Sequence, residues 1–297
     1  MEVTRSFSQT RDRYSGTVGL LPTLGFFHEG HLKLMDLLRP QCDTLVVSLF
    51  VNPTQFNEQA DFDLYPRDEA RDASLADEHD VDLLFAPPTE EVYGGVSVTT
   101  VEVSGVTDEM EGRHRPGHFV GVATVVAKLF AGLRPDTAMF GRKDAQQLAV
   151  LRAMAADLRF PIDIVEAPVV REPGGLALSS RNVGLTSHDR ERALAISRGL
   201  FQAAEQVDAG ERRGGRLEGT VLRSMRGLDI DYVKLASQAT MKPVDELVAP
   251  SVLAVAATVG RVRLIDNIAF DFESGGPLPD RGVLLDEPSR LSAMPSS

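Results

Sequence analysis

The chain has 297 residues, 43% of them hydrophobic and 25% charged, so it can bury one large or two ordinary globular cores. Its 31 Lys and Arg against 43 Asp and Glu give a formal net charge of −12, which argues against non-specific binding to nucleic acid or to an anionic membrane. The single cysteine, Cys42, excludes an internal disulfide and a multi-cysteine metal cluster. Since no apolar leader or membrane-length run is present either, we expect a protein of the reducing cytoplasm.

The first part of the chain alternates strand-like and helix-like segments. Residues 17–23 (TVGLLPT), 44–51 (TLVVSLFV) and 81–87 (VDLLFAP) predict strands, and the continuous β-branched and apolar run of the second predicts burial on both faces of a parallel sheet. Residues 31–40 and 67–80 predict the intervening helices. This β-α-β-α-β succession predicts a Rossmann-like, doubly wound α/β layer.

Next, the pattern changes and then returns. Residues 96–105 (VSVTTVEVSG) alternate Val and Thr with other residues and predict an antiparallel excursion. Residues 118–136 and 144–158 then predict helices, with strands at 137–141 and 161–170.

The second half begins with a Gly-, Ser- and Asn-rich loop, REPGGLALSSRN. Thr186 then opens a capping box and a long helix that ends at Gly210, followed by strand-like segments at 228–237 and 253–268. We predict a Rossmann-like domain at residues 1–169, a smaller C-terminal α/β or α+β domain carrying the SSRN loop at 170–274, and a disordered tail at 275–297.

Two histidines follow the first predicted strand in the segment PTLGFFHEGH. A zinc protease needs histidines four apart on one helical face and a third ligand, so the spacing of His28 and His31 and the helix-weakening Gly30 disfavour it. Both could also be surface histidines of an ordinary turn. Their place past a strand end and at the mouth of a helix favours a phosphate ligand. Gly30 allows close approach of that ligand, and an imidazole that titrates near neutrality can follow charge on a phosphoryl group.

The chain contains neither a Walker A sequence nor Gly-x-Gly-x-x-Gly, so a nucleotide would be bound by another device. The segment FGRKDAQQ offers one, since Gly141 follows a predicted strand and Lys143 and Asp144 lie in the first turn of the next predicted helix. A cation is disfavoured at a helix N-terminus, and an anion beside Lys143 would reverse that penalty. A solvated surface lysine is the alternative.

Three further polar segments are candidates for substrate contacts. ALSSRN (177–182) combines two hydroxyls with a guanidinium, although it could be an ordinary capping loop. FVNPTQF (50–56) ends the central predicted strand with two uncharged amides. GRHRPGHF (112–119) opposes the acidic balance of the chain and indicates an anion site, although charge runs are usually solvated; its basic residues are Arg113, His114, Arg115 and His118.

These segments resemble the pantothenate synthetase (pantoate–β-alanine ligase) family. Seven motifs match in order between residues 17 and 268: PTLGFFHEGH, FVNPTQF, DLYPRD, GRHRPGHF, FGRKDAQQ, REPGGLALSSRN and RLIDNI. The family belongs to the nucleotidyltransferases that share a Rossmann-like domain with class I aminoacyl-tRNA synthetases. The resemblance implies an ATP-dependent condensation of pantoate with β-alanine through pantoyl adenylate, with release of AMP and pyrophosphate. It also implies a Mg²⁺-dependent homodimer, without indicating the Mg²⁺ ligands.

The resemblance also assigns roles to residues of this chain. His28 and His31 would contact the nucleotide phosphates, with His31 as proton donor, and Lys143 and Arg181 complete the implied catalytic set. Gln55 and Gln147 would hold pantoate, and Gln55 would also face β-alanine. The residues implied to bind ATP are Leu24, Gly25, Phe26, Phe27, His28, Glu29, Gly30, His31, Gly141, Arg142, Lys143, Asp144, Val170, Leu178, Ser179, Ser180 and Arg181.

Four features depart from the usual family pattern. Leu24 stands where Met is most common, which is nearly volume-conserving. The pair Phe26-Phe27 replaces a small residue plus Leu, and we expect it to reshape the pocket floor near the adenine. Gly174 replaces a usual Asp, and the stretch before Thr17 is shorter than usual.

The residues leave other functions open. Another nucleotidyltransferase with a His-x-Gly-His site would act on a phosphorylated substrate, which the paired glutamines disfavour. A non-catalytic nucleotide-binding or tRNA-interacting module is disfavoured by the acidic balance and the complete polar set. A zinc metallohydrolase is the third alternative.

Overall fold

The computed structural model describes residues 1–95, 97–273 and 275–293. In this part of the chain one sheet is built from β1 (Glu2–Thr4), β2 (Val18–Thr23), β3 (Thr44–Leu49), β4 (Leu83–Phe85), β5 (Thr137–Gly141) and β6 (Asp163–Ala167). All of its paired strands are parallel, and they lie in the order β1-β4-β3-β2-β5-β6. The predicted Rossmann-like parallel sheet is confirmed.

Helices cover both faces of this sheet. They include α1 (Phe7–Arg11), α2 (Glu29–Leu38), α3 (Gln59–Leu64), α4 (Glu69–Glu78), α5 (Thr89–Tyr93), α6 (Met110–His114), α7 (His118–Leu133) and α8 (Ala145–Asp157). Successive strand residues point to opposite cores: Leu20 packs in the core with α7 and α8, whereas Leu21 packs in the core with α2 and α4. A strand buried on both sides is mostly apolar on both faces, which explains why β3 carries Leu45, Val46, Val47 and Leu49, with only Thr44 and Ser48 polar.

The second unit packs two helices on an antiparallel sheet. After β7 (Val170–Arg171), the chain forms α9 (Ser187–Asp208), α10 (Gly214–Ser224), β8 (Asp229–Ser237), β9 (Ser251–Val259), β10 (Val262–Glu273), β11 (Gly276–Asp280) and β12 (Val283–Leu284). The order β11-β10-β9-β8 and the core between this sheet and the helices define an α+β unit. Thr186 caps α9 by accepting from the backbone N–H of Asp189, as its sequence predicts.

The predicted antiparallel excursion is wrong for residues 97–104, which carry no strand in the structure, while residue 96 lies outside the described residues. The backbone N–H of Val101 donates to Oγ1 of Thr124 at 2.9 Å. Val101 and Val103 pack partly buried against the core beside α7. An extended segment can therefore show strand-like alternation when it lies on a helix instead of beside another strand.

The predicted disorder of the tail is wrong for residues 275–293, and residues 294–297 lie outside the described part. Strand β11 pairs with β10, and β12 pairs with β7. A Cβ on Gly282 would lie 2.2 Å from the carbonyl oxygen of Val169, so this close pairing needs a glycine. Backbone hydrogen bonds to β10 and β7 hold this segment, and its amino-acid composition does not reveal such pairing. The boundary predicted between residues 169 and 170 stays a prediction.

In the part of the chain that the structure describes, none of the helices has the length and apolar character needed to span a bilayer.

Candidate active site

A cleft of about 250 Å³ opens at the carboxyl ends of the parallel strands. After β2 the chain turns one way to β3 and β4, and β5 and β6 lie on the other side of β2, so the order reverses between β2 and β5. Such a switch point leaves a crevice where open α/β sheets bind ligands. The segments after β2, β3, β5 and β6 all contribute to its wall.

His28 and His31 form a reciprocal cap at the start of α2. The backbone N–H of Gly30 donates to Nδ1 of His28 at 3.1 Å, and the backbone N–H of His28 donates to Nδ1 of His31 at 3.3 Å. The spacing of three is thus that of a capping box. Because both Nδ1 atoms accept, a neutral ring carries its proton on Nε2. The two rings lie with their centroids 4.1 Å apart, and both residues line the cleft.

Both imidazoles are neutral near pH 7. Burial lowers the pKa of His31 to about 4, with Lys143 and Arg71 acting in the same direction and Asp144 against them. Burial, together with the charges of His31 and Lys143, also holds the pKa of His28 well below its ordinary value. The expectation of rings that titrate near neutrality is therefore wrong, because burial keeps both rings neutral. A triphosphate beside them would raise both pKa values, because its charge favours the protonated ring.

Acid should destabilise the fold through these buried rings. Burial and the charge of Arg115 lower the pKa of a third ring, His118, to about 4 as well. The unfolded chain binds more protons than the folded chain between the unfolded and folded pKa values. The free energy of unfolding should thus fall as the pH drops from about 6.5 to about 4, by at most about 1.4 kcal/mol per pH unit for each ring. Guanidinium unfolding at several pH values in this window measures the slope.

Replacing His31 and His118 with Asn should reduce the dependence of the free energy of unfolding on pH in this window. The same replacement at His188, which is exposed at the start of α9, should leave it unchanged. Equal slopes in the double variant and the original chain would contradict the assignment.

The loop before His28 is shaped by a buried carboxylate that the sequence did not reveal. Asp72, only 1% exposed, accepts from the backbone N–H groups of Phe26 at 2.6 Å and Phe27 at 2.7 Å. Burial raises the pKa of Asp72, although these two donors act the other way. Phe27 is fully buried in the core under α2, and neither aromatic ring belongs to the cleft wall. The predicted reshaping of the pocket floor by this pair stays a prediction; Phe27 lies against the His31 ring, with centroids 5.6 Å apart.

Lys143 lies in a short 3-10 turn, Arg142–Asp144, between β5 and α8. Its side chain is 18% exposed and borders the cleft, with Oδ1 of Asp144 4.0 Å from Nζ. A Cβ on Gly141 would meet no atom within 4 Å among the described residues, so the space above this strand end is open to a ligand.

The SSRN loop forms the opposite wall. Ser180 donates through Oγ to the carbonyl oxygen of Phe26 at 3.4 Å, which joins this loop to the loop before His28. Tyr65, also on the cleft wall, hydrogen-bonds the same Ser180, and burial raises the pKa of Tyr65. Tyr65 belongs to the DLYPRD motif, and nothing local in the sequence indicates its contact with a loop more than a hundred residues away.

Gln55 and Gln147 face the same cleft from different elements. Oε1 of Gln55 accepts from Nδ2 of Asn52 at 3.1 Å, and its backbone carbonyl accepts from Nδ1–H of His118 at 2.7 Å. The pKa of Arg115 is lowered, mainly by burial and next by the charge of the nearby Arg181 guanidinium. The basic segment 112–119 is thus divided: Arg115 and His118 line the cleft, and Arg113 and His114 do not.

The structure brings most of the predicted site residues together. The cleft wall includes Leu24, His28, Gly30, His31, Gln55, Gly141, Lys143, Asp144, Gln147, Val170, Leu178, Ser179, Ser180 and Arg181. It does not include Gly25, Phe26, Phe27, Glu29 or Arg142. The predicted ATP contact of these five residues stays a prediction, and two of their side chains have protein partners. Glu29 accepts from Ser289 Oγ at 2.5 Å and from the backbone N–H of Arg290 at 2.8 Å, and Arg142 forms ion pairs with Glu166, Asp271 and Asp280.

A Rossmann-like sheet with cations and imidazoles gathered at its switch point defines a nucleotide-handling α/β enzyme. The sequence matches the family model described as pantoate-beta-alanine ligase over residues 1–269. It is 46% identical to the pantothenate synthetase of Pelotomaculum thermopropionicum over 266 residues, 89% of this chain and 94% of that protein. It is also 46% identical over 269 residues to the pantothenate synthetase of Heliobacterium modesticaldum, which covers 90% of this chain and 96% of the relative.

Solved structures show the same similarity. The pantothenate synthetase from Thermus thermophilus superposes with a TM-score of 0.86 at 42% identity, covering 90% of this chain and 98% of that chain. The pantoate-beta-alanine ligase from Francisella tularensis, complexed with beta-gamma ATP and beta-alanine, gives 0.75 at 31% identity and covers 91% and 97%. The chain belongs to the pantoate–β-alanine ligase family.

Proposed function

We propose that this chain condenses pantoate with β-alanine at the expense of ATP, through an enzyme-bound pantoyl adenylate, and releases AMP and pyrophosphate. The observation that carries this proposal is the meeting of Lys143, Arg181 and the His28/His31 pair, from three distant segments, around one cleft at the switch point. Family membership supports it, as does the similarity to a ligase complexed with an ATP compound and β-alanine.

Pantoate is proposed to lie between Gln55 and Gln147, with β-alanine beside Gln55. Uncharged amides can bind a hydroxyl and a carboxylate without competing for a metal ion. The contacts that Asn52 and His118 make with Gln55 support this role, because they hold its side chain and backbone in place.

In the first step, an oxygen of the pantoate carboxylate bonds to the α-phosphorus of ATP and pyrophosphate leaves. Two anions must approach each other, so the reaction first needs charge neutralisation, which Lys143, Arg181 and the Nε2–H donors of His28 and His31 supply. Holding the reactants in place adds to this, since effective molarities can reach the order of 10⁵ M. His31 then acts as a proton donor only when bound phosphate has raised its pKa.

In the second step, the neutral amine nitrogen of β-alanine bonds to the acyl carbon of the adenylate. The bond from that carbon to the AMP oxygen breaks, AMP leaves with the electron pair, and the nitrogen releases one proton. Water has to be excluded from the mixed anhydride. We propose Leu178–Arg181 as the segment that closes the site, with Leu24, Gly30, Gly141, Asp144 and Val170 completing its wall. The hydrogen bond between Ser180 and the carbonyl of Phe26 supports a closed arrangement.

Mg²⁺ is proposed to enter with ATP. Among the described residues, no group of three or more His, Cys, Asp or Glu could hold a metal ion, and Asp144 is the sole carboxylate on the cleft wall. The protein side chains of the cleft therefore do not supply a full set of Mg²⁺ ligands. It is compatible with an ion held mainly by phosphates and water, which is how Mg²⁺ is commonly bound beside nucleotides. The ion would neutralise phosphate charge.

A homodimer and a cytoplasmic location are further proposals that rest on the family resemblance. Analytical ultracentrifugation would test the first, and fractionation of the cells that make the protein would test the second.

The deciding experiment is an assay of the purified protein with pantoate, β-alanine and ATP. We expect multiple turnovers of pantothenate, with AMP and not ADP as the nucleotide product. Exchange of pyrophosphate into ATP should depend on pantoate. Exchange that instead depends on a mononucleotide would overturn the proposal.

Gly121→Ala should weaken pantoate binding. A Cβ on Gly121 would lie 2.3 Å from the carbonyl oxygen of Thr54 and 2.7 Å from the backbone nitrogen of Gln55. Neither backbone atom can move without shifting the turn that holds Gln55. Overpacking of this kind costs about 1–3 kcal/mol, so we expect KM for pantoate to rise roughly tenfold while KM for ATP changes little.

Gly215→Ala is the matched control. Gly215 lies in α10, where an added Cβ would meet no atom of the described residues within 4 Å. This variant should keep both KM values, and an equal rise in both KM values for Gly121→Ala would contradict the assignment.

A further inference from the structure

A single amide of the second domain holds the turn that carries Lys143. Asn267, on β10, is 2% exposed. Its Nδ2 donates to the carbonyl oxygen of Arg142 at 2.9 Å and to that of Lys143 at 2.8 Å. Both amide hydrogens are thus used on two consecutive carbonyls of one 3-10 turn, which fixes the plane of the peptide between them.

Local structure restrains this turn weakly. Gly141, at the start of the 3-10 turn, and Asp144, at the start of α8, provide no side-chain cap. The Arg142 side chain is tied to Asp271 on β10 at 2.7 Å and to Asp280 on β11 at 2.9 Å. Arg142 also pairs with Glu166 on β6 of the first sheet, so the second-domain sheet shares in setting the position of Lys143.

Asn267 is itself rigidly held. Its backbone N–H donates to Oδ1 of Asp266 at 2.7 Å, and its carbonyl accepts from the Arg171 guanidinium at 3.0 Å. Arg171 directly follows Val170, which lies on the cleft wall. Through Arg171, the short strand β7 thus links Val170 on one side of the proposed ATP site to Asn267, which holds the Lys143 turn on the other side.

An asparagine side chain at position 267 can hold this turn, whereas aspartate and leucine, which are similar in size, cannot. Its Oδ1 is buried without a hydrogen-bond partner in the part of the chain that the structure describes. Burying an unpaired carbonyl is unfavourable, so an amide here is explained by what its nitrogen does. Aspartate would direct oxygens at two carbonyl oxygens, and leucine would leave both carbonyls unpaired.

We infer that Asn267 is a positioning residue for Lys143, which it holds where charge develops on the phosphates. This inference rests on the proposed function for its kinetic consequence. Misplacing a catalytic group by about 1 Å can lower the rate by about 100-fold, and an interaction realised in the transition state changes kcat more than binding.

The kinetic test uses Asn267→Leu and Asn267→Asp in the full chain. We expect kcat for pantoate-dependent exchange between ATP and pyrophosphate to fall about 10- to 100-fold, with KM for ATP changed less than about threefold. Val259→Ala is the control, because Val259 is fully buried in the same sheet and lies outside the pocket and turn contacts of Asn267. A loss no larger than that of the control would overturn the inference.

A second readout follows the lysine directly. The chain has five lysines: Lys33, Lys128, Lys143, Lys234 and Lys242. Reductive ¹³C-methylation gives each its own NMR signal, and Lys143→Arg identifies the signal of Lys143. In Asn267→Leu, and in the milder Asn267→Ser, this signal should shift while the other four stay; an unchanged signal in both overturns the inference.

The two proposals fail separately. If the original chain shows no exchange with pantoate, the proposed function is wrong, and the spectrum alone decides the role of Asn267. If the chain is active and both Asn267 variants keep kcat, the inference is wrong and the proposed function stands.

Discussion

Lys143→Ala is expected to lower pantoate-dependent exchange between ATP and pyrophosphate by at least about 10²-fold while the protein remains folded. Removing one donor aimed at developing charge in a water-poor site has this size of effect. Lys143 borders the cleft with a largely buried side chain and a long 4.0 Å contact to Asp144, so its charge is available to a phosphate. Because its side chain faces the cleft instead of a hydrophobic core, truncation should leave stability nearly unchanged.

The comparison variant is Lys242→Ala, which removes an exposed lysine of the second domain and should leave exchange unaffected. His31→Ala is expected to act in the same direction as Lys143→Ala, because it deletes the imidazole proposed to donate to the phosphates. Normal exchange in both cleft variants would refute the proposed roles.

The sequence predicted those strands and helices whose pattern of burial or whose capping residue is visible within a few consecutive residues. β3 is mostly β-branched and apolar because it is buried on both faces, and α9 begins after Thr186 because the Thr186 side chain accepts from the backbone N–H of Asp189. Both causes act within a few residues, so a local pattern reveals them.

The wrong predictions concern segments whose structure depends on contacts with distant parts of the chain, which a local sequence pattern does not show. Residues 97–104 alternate like a strand but lie against α7, and residues 275–293 look disordered but pair with β10 and β7. Asp72 lies on a segment that reads as a polar surface helix, yet its carboxylate binds two backbone donors of the loop before His28.

The candidate site was predictable where a residue type alone suggests chemistry, as with His28, His31 and Lys143. Its geometry was not, because Ser180, Tyr65 and Asn267 reach the site through folds of the chain that bring distant segments together. The charge state of the imidazoles was also predicted wrongly, since burial and not residue type sets their pKa values.

The largest stability loss is expected for the buried ion pair between Arg171 and Asp266. Arg171 is fully buried, and its guanidinium donates to Oδ2 and Oδ1 of Asp266 at 2.6 and 2.9 Å. It also donates to the backbone carbonyls of Gly175, Asn267 and Arg281. Asp266→Ala leaves a buried cation without its counter-charge, which should lower the free energy of unfolding by about 3–5 kcal/mol.

Guanidinium unfolding of four variants beside the original chain separates this pair from ordinary ion pairs. Arg171→Met alone should also be strongly destabilising, because Asp266 then keeps an unpaired buried charge. The double variant Arg171→Met with Asp266→Ala should lose less than the sum of the single variants, since removing both charges removes the penalty of leaving one alone. Arg13→Ala is the control, because Arg13 and Glu2 form an ion pair at 2.9 Å with side chains 49% and 44% exposed, where solvent screening leaves little loss of stability to expect. Equal losses for Asp266→Ala and Arg13→Ala would show that burial of the Arg171–Asp266 pair has no energetic consequence.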